Sequence, residues 1–179
     1  LEKLYANRKG LKKFEASSVT IVDGSIYSIC DSSWSISKLN PSPLKRFSTS
    51  NTMLGKPHLF PEDSGFEALF ESNGDFYALR ESIQYGLSYS SVVLQLSLGS
   101  KDYEITSQCR TEFEFDGTSK GFEGAVGFRD DSGELYIIAL CEGNRCSESN
   151  KSDVGHGRVV LMRKVLDSSN AENCVWQTY

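Results

Sequence analysis

One pattern returns three times along the chain, and it constrains the fold more than any other feature. The stretches FEASSVTIVDGSIYSICDSS (14–33), GFEALFESNGDFYALRES (65–82) and GFEGAVGFRDDSGELYII (121–138) share one plan. Each opens with Phe-Glu followed by Ala or Gly. Each runs through apolar residues to a turn, at Asp23-Gly24, Asn73-Gly74 and Ser132-Gly133. Beyond each turn glycine come an apolar residue and a tyrosine: Ile26-Tyr27, Phe76-Tyr77 and Leu135-Tyr136. Self-similarity at a period of roughly 40–50 residues or slightly more marks a repeat architecture. Asp-Gly and Asn-Gly supply the positive φ angles of tight hairpin turns. Each repeat therefore reads as a hairpin of a Phe-Glu strand and a Tyr strand.

A third β-like run follows each hairpin, at 34–39, 91–96 and 158–162. A fourth follows at 103–115 and 174–179, with a weaker counterpart near Leu44 to Phe47. No amphipathic helix is visible. Four strands per unit, repeated, predict an all-β chain of β-propeller type. The blades fall at about 14–50, 65–116 and 121–179 within a single partial propeller spanning 1–179. A β-sandwich also has many short strands, but it gives no reason for the pattern to return. Closed propellers take roughly 4–8 blades. Three blades therefore predict part of a larger ring of the six-bladed type, completed by another protein chain or by the remainder of the same protein.

Placed on a propeller, the Phe-Glu strand is innermost. Glu15, Glu67 and Glu123 then become candidate members of a ring about the axis. A second acidic set, Asp31, Glu81 and Glu142, follows the repeat tyrosines. Like charges drawn together raise one another's pKa or recruit a cation. Calcium suits such a set, because it accepts six to eight oxygens in flexible geometry. An equally open reading makes each glutamate a local cap for backbone N–H groups between blades. The tyrosines are expected as inter-blade core.

This pattern of Phe-Glu-Gly, apolar strand, turn, Gly-x-apolar-Tyr and acidic residue resembles the phytase-like propeller superfamily. It is similar to the family called esterase-like activity of phytase and to SdiA-regulated-type domains. The resemblance covers the three hairpins. It implies carboxylates at the channel mouth that bind calcium, with Glu67 and Glu123 first, then Glu15, Glu81 and Glu142. It also implies a calcium-dependent phosphoesterase or hydrolase as an alternative to a plain binding or scaffold module. A phosphate site wants several cationic side chains, and Arg80 alone lies at an obvious position on a Tyr strand.

Charge and cysteine usage set the remaining bounds. The net charge is −5, which argues against a nucleic-acid surface, since that needs a basic patch. No apolar run approaches the ~20 residues of a membrane span. Cys141 and Cys146 flank a short loop, a good distance for a local disulfide, and Asn150-Lys151-Ser152 is a glycosylation sequon. Together they predict a secreted or lumenal, oxidising compartment. Five cysteines leave at least one thiol unpaired or bonded elsewhere. Spacing does not set the pairing of Cys30, Cys109 and Cys174. Gly117-Thr118-Ser119-Lys120-Gly121 fits G-x-S-x-G, but a nucleophile elbow needs a helix after it. With only His58 and His156 in the chain, no Ser-His-Asp site is legible.

Overall fold

A computed structural model describes residue 5 and residues 15–41, 48–55, 63–118, 120–141, 158–166 and 174–179. Among them there are twelve strands and no helix. The first meander comprises β1 (Ala16–Val22), β2 (Ser25–Cys30), β3 (Ser33–Leu39) and β4 (Thr52–Leu54). The second comprises β5 (Phe66–Ser72), β6 (Asp75–Tyr85), β7 (Ser88–Leu98) and β8 (Tyr103–Phe115). The third comprises β9 (Phe122–Arg129), β10 (Leu135–Cys141), β11 (Val159–Leu166) and β12 (Cys174–Thr178). Successive strands within each meander pair antiparallel. The all-β expectation holds, and so do the three hairpins. Leu44 to Phe47, the expected fourth strand of the first unit, lies outside the described residues, and β4 follows it in sequence.

The turns form as their residues dictate. Asp23 and Gly24 have φ of 47° and 70°, and Asn73 and Gly74 have φ of 57° and 88°. Two consecutive positive φ angles match the right-handed strand twist across a two-residue hairpin. The third turn is longer. There the Asp130 carboxylate accepts from Ser132 N at 2.9 Å and Glu134 N at 3.0 Å.

The second and third meanders join edge to edge. Between β8 and β12 a short parallel pairing matches Val175 with Arg110 and Trp176 with Thr111. A disulfide between Cys109 and Cys174 crosses the same seam. At the other ends of this eight-stranded sheet, β5 lies alongside β9, so the sheet curls into a nearly closed barrel-like form. The first meander is a separate sheet, with β1 alongside β5.

Two cores result, and the second meander is shared between them. One packs Tyr27, Ile29, Trp34 and Ile36 of the first meander against Leu69, Phe76, Ala78, Val92 and Leu94 of the second. The other packs Phe70, Tyr77, Leu79 and Val93 of the second against Ile137, Ala139, Val160, Met162 and Trp176 of the third. This explains the near-continuous apolar runs of β6 and β7: both faces of those strands are buried, so polar alternation disappears. Tyr27 and Tyr77 fill these cores, as expected of repeat tyrosines. Tyr136 does not, and sits half-buried on the outward face of the third meander. Cys30 is buried and free. Cys141 is disulfide-bonded, while its expected partner Cys146 lies outside the described residues.

Candidate functional site

Hairpin register decides which acidic residues correspond. Ala16 pairs with Cys30, Phe66 with Arg80 and Phe122 with Cys141. In all three hairpins the next residue on the first strand is skipped by the ladder. Those bulge residues are Ser17, Glu67 and Glu123. A bulge residue is freed from the two-sided alternation of its strand, and the bulge re-aims its side chain. Glu67 and Glu123 are therefore true equivalents. Glu15 is not: it precedes the bulge, at the position of Gly65. The physical reason is the turn, which fixes register. Tyr27 to Tyr77 spans 50 residues and Gly24 to Gly74 spans 50, whereas Glu15 to Glu67 spans 52. Asp31 and Glu81, 50 residues apart, do correspond.

The expected ring of Glu15, Glu67 and Glu123 is thus not the group that assembles. The carboxylates that converge are Asp31, Glu67 and Glu81, each half-buried, with one oxygen of each within 4.8 Å of the others. One member comes from the glutamates of the Phe-Glu strands and two from the set after the tyrosines. Glu15 and Glu123 are exposed. Glu142 and Asn150 lie outside the described residues.

The seam between the first and second meanders builds this site. Gly65 N donates to the Asp31 carbonyl at 2.9 Å. The Ser64 hydroxyl lies 2.7 Å from both the Cys30 and Asp31 carbonyls. The Ser17 hydroxyl donates to the Phe66 carbonyl. Glu81 is held from its other side, its N donating to the Gly65 carbonyl at 2.7 Å. One residue on, Ser82 N donates to the Lys120 carbonyl at 2.6 Å, tying in the approach to the third meander. A Cβ at Gly121 would fall 3.3 Å from the Glu81 Cα and 3.6 Å from the Glu67 Cγ. The segment leading into the third meander therefore runs close against Glu81 and Glu67.

Arg80 is the nearest cation in sequence, and its side chain serves the scaffold. Its Nε donates to the Ser64 carbonyl at 2.6 Å, and its guanidinium lies 4.5 Å from the centre of the Trp34 ring. Stacking on an aromatic face suits the planar guanidinium. Nearby, the Tyr103 hydroxyl donates to the Trp34 carbonyl at 2.6 Å. Burial pushes the Tyr103 phenol well above its ordinary value, and the adjacent Asp102 adds to this.

Three carboxylates at this spacing are unfavourable unless a proton or a cation is shared among them. All three donors are hard oxygens, the set that calcium or magnesium prefers over softer metals. Sequence reasoning named all three residues but assigned them to two separate sets. Register counted outward from the Asn73-Gly74 turn brings Glu67 to the Arg80-Glu81 end of the partner strand, and that was the signal that could have grouped them. Compared with family models, with curated proteins and with solved structures, the chain matches none.

Proposed function

We propose that the chain is a three-bladed part of a β-propeller of the phytase-like kind, working as a binding or scaffold module, with a calcium ion clamped between its first two blades by Asp31, Glu67 and Glu81. The observation that carries this reading is the convergence of those carboxylates from two meanders onto one seam. A cation there links Asp31 of the first meander to Glu67 and Glu81 of the second, so it stiffens the relation between two blades. The contiguity of β1, β5 and β9, each the first strand of its meander, supports the propeller geometry. The Cys109–Cys174 disulfide supports an oxidising, secreted or lumenal location. Its partners are then other protein surfaces, read by loops on a rigid frame.

Hydrolysis of phosphate esters finds less support. Transfer chemistry on phosphate wants several cationic groups around the substrate, and Arg80 alone lies at an obvious position on a Tyr strand. The experiment is a thermal melt in millimolar calcium and in chelator. A site of micromolar affinity stabilises by about 4 kcal/mol under those conditions. Glu67→Gln and Asp31→Asn remove the shift, and Glu123→Gln keeps it. Absence of any calcium shift, or a shift that survives Glu67→Gln, sinks the clamp. Turnover of a phosphate ester that Glu67→Gln abolishes would move the hydrolase reading ahead.

A further inference from the structure

The edge-to-edge joint of the second and third meanders carries chemistry of its own. Its register is two residue pairs long, and the Cys109–Cys174 disulfide spans it. The two sulfurs sit in different surroundings. Cys109 is 2% exposed and belongs to the core that the second meander shares with the third. Cys174, the first residue of β12, is partly exposed. A thiolate arriving from solution therefore meets Cys174 and not Cys109.

Behind Cys109 stands a line of donors. Ser107, two residues back on β8, has its hydroxyl 3.6 Å from the Cys109 sulfur. From β11 the Lys164 ammonium donates to that hydroxyl at 3.0 Å. An ammonium can only donate, so it fixes the polarity of the line: Ser107 accepts from Lys164, and its own hydrogen is left for the sulfur. A disulfide sulfur accepts weakly, whereas a thiolate makes a charge-assisted bond. Apolar surroundings raise a thiol's pKa and a neighbouring lysine lowers it, so this line works against the burial of Cys109. Burial holds the Lys164 ammonium below its ordinary pKa, and a thiolate at Cys109 gives that charge a partner. The Cys174 sulfur lies 3.5 Å from the Gln108 carbonyl oxygen, an acceptor that only an S–H can use. The surroundings of both sulfurs thus suit the open dithiol as well as the closed bond.

We propose that the Cys109–Cys174 bond is a site of thiol–disulfide exchange with small monothiols of the glutathione class, with Cys174 the sulfur attacked and Cys109 the leaving group. The incoming thiolate forms a bond to Cys174 Sγ. The Cys109–Cys174 bond breaks, and its electron pair leaves on Cys109 Sγ, to which Ser107 donates. A second monothiol thiolate attacks the monothiol sulfur of the mixed disulfide and frees Cys174. The two protons given up by the monothiols end on the two cysteines. One protein disulfide is reduced to two thiols, and two monothiols are oxidised to one disulfide. Lys164 acts through Ser107 and is a positioning residue. After exchange the joint keeps its two-pair register and the bond from Thr178 N to the Glu112 carboxylate at 2.9 Å. The inference stands on this joint and needs nothing of the calcium site.

Reduced glutathione is the probe. It is added at millimolar concentration to the native chain, and the thiols that appear are alkylated with N-ethylmaleimide at timed intervals. Trypsin then separates the two cysteines, in peptides that begin at Asp102 and at Val165. The expected early product carries glutathione on Cys174 and maleimide on Cys109. Lys164→Met and Ser107→Ala slow its appearance by about three- to tenfold, because the leaving thiolate loses its donors. Lys164→Arg restores the parent rate. Urea denaturation of the oxidised variants reads stability separately. A merely structural role has the opposite sign, since a loosened fold exchanges faster. The site of attack is read on the parent chain, so it tests the proposal even where a variant fails to fold. A bond that opens only in urea overturns the proposal. So does glutathione found on Cys109 as often as on Cys174, and so does exchange in Lys164→Met as fast as in the parent.

Discussion

Gly127 offers the sharpest test of how the second and third meanders meet. It lies mid-strand in β9, opposite Ile137 on β10. A Cβ built there would fall 2.3 Å from Phe70 Cε2, 2.7 Å from Cδ2 and 3.2 Å from Cζ. The ring cannot slide away freely, because it is 5% exposed and stacked on Tyr77. Adding a methyl to a packed core costs about 1–3 kcal/mol. Replacing glycine by alanine returns about 0.4–1 kcal/mol by restricting the unfolded chain. The net loss for Gly127→Ala is then about 1–2 kcal/mol, or a drop in Tm of about 3–6 °C for a domain of this size. Gly124, three residues earlier on the same strand, is the matched control. Its added Cβ would meet only Leu140 Cδ1, at 3.8 Å, an ordinary contact. Gly124→Ala should therefore be neutral or slightly stabilising.

Urea denaturation of both variants, read at a common slope, measures the difference. Shrinking the obstructing ring closes the cycle. Phe70→Leu alone destabilises by leaving a void. Combined with Gly127→Ala it should cost less than the sum, with a coupling on the order of 1 kcal/mol. Equal stability of Gly127→Ala and Gly124→Ala would refute the packing described. Strict additivity with Phe70→Leu would show that the two residues do not touch.

Two further outcomes follow from the seams. The Cys109–Cys174 bond spans 65 residues of sequence, so loop-closure entropy assigns it about 4 kcal/mol. The double variant Cys109→Ala/Cys174→Ser should lower the urea midpoint accordingly, and a loss below about 1 kcal/mol would mean that the β8–β12 pairing holds itself. Tyr103→Phe removes the hydroxyl that donates to the Trp34 carbonyl, a loss of about 0.5–1.5 kcal/mol by chemical denaturation at neutral pH. Tyr103 also shapes the alkaline limb. Its folded phenol titrates above the unfolded value of about 10, so its contribution is whole below that pH and fades as pH rises beyond it. The variant should flatten that limb, and an unchanged limb would remove the phenol as its cause.

The hairpins were legible because their turns are written in residue types. Asp23-Gly24 and Asn73-Gly74 can hardly be anything but turns with positive φ, and they fix where each tyrosine pairs. The bulge was not legible, since its residue is glutamate at 67 and 123 but serine at 17. Matching on the Phe-Glu dipeptide placed Glu15 two positions out of register. Distances between turns, which the backbone must respect, would have corrected this. The seam contacts were beyond a one-dimensional reading. Asp31 meets Glu67, and Val175 meets Arg110, through the docking of whole meanders. No local propensity encodes that. The buried second meander was half-visible, as apolar runs in β6 and β7 too continuous for a sheet with a wet face.

The bulge also separates the two roles open to the glutamates. If Glu67 caps backbone groups at the seam, its carboxylate stabilises the fold with or without a cation. Glu67→Ala in chelator should then lose about 1–2 kcal/mol, as an orphaned donor does. If the carboxylate is there for a cation, it is one of three whose oxygens lie within 4.8 Å of one another, and the cation is what its loss forfeits. Glu67→Ala takes no ladder bond, because the bulge position lies outside the ladder. It should then stay close to the parent in chelator and fall behind it in calcium. The divergence of the two stability curves with added calcium is the signature of a ligand. Parallel curves, with the variant below at every concentration, would make Glu67 a cap, and the carboxylate that opens each later repeat would then belong to the geometry of the seam.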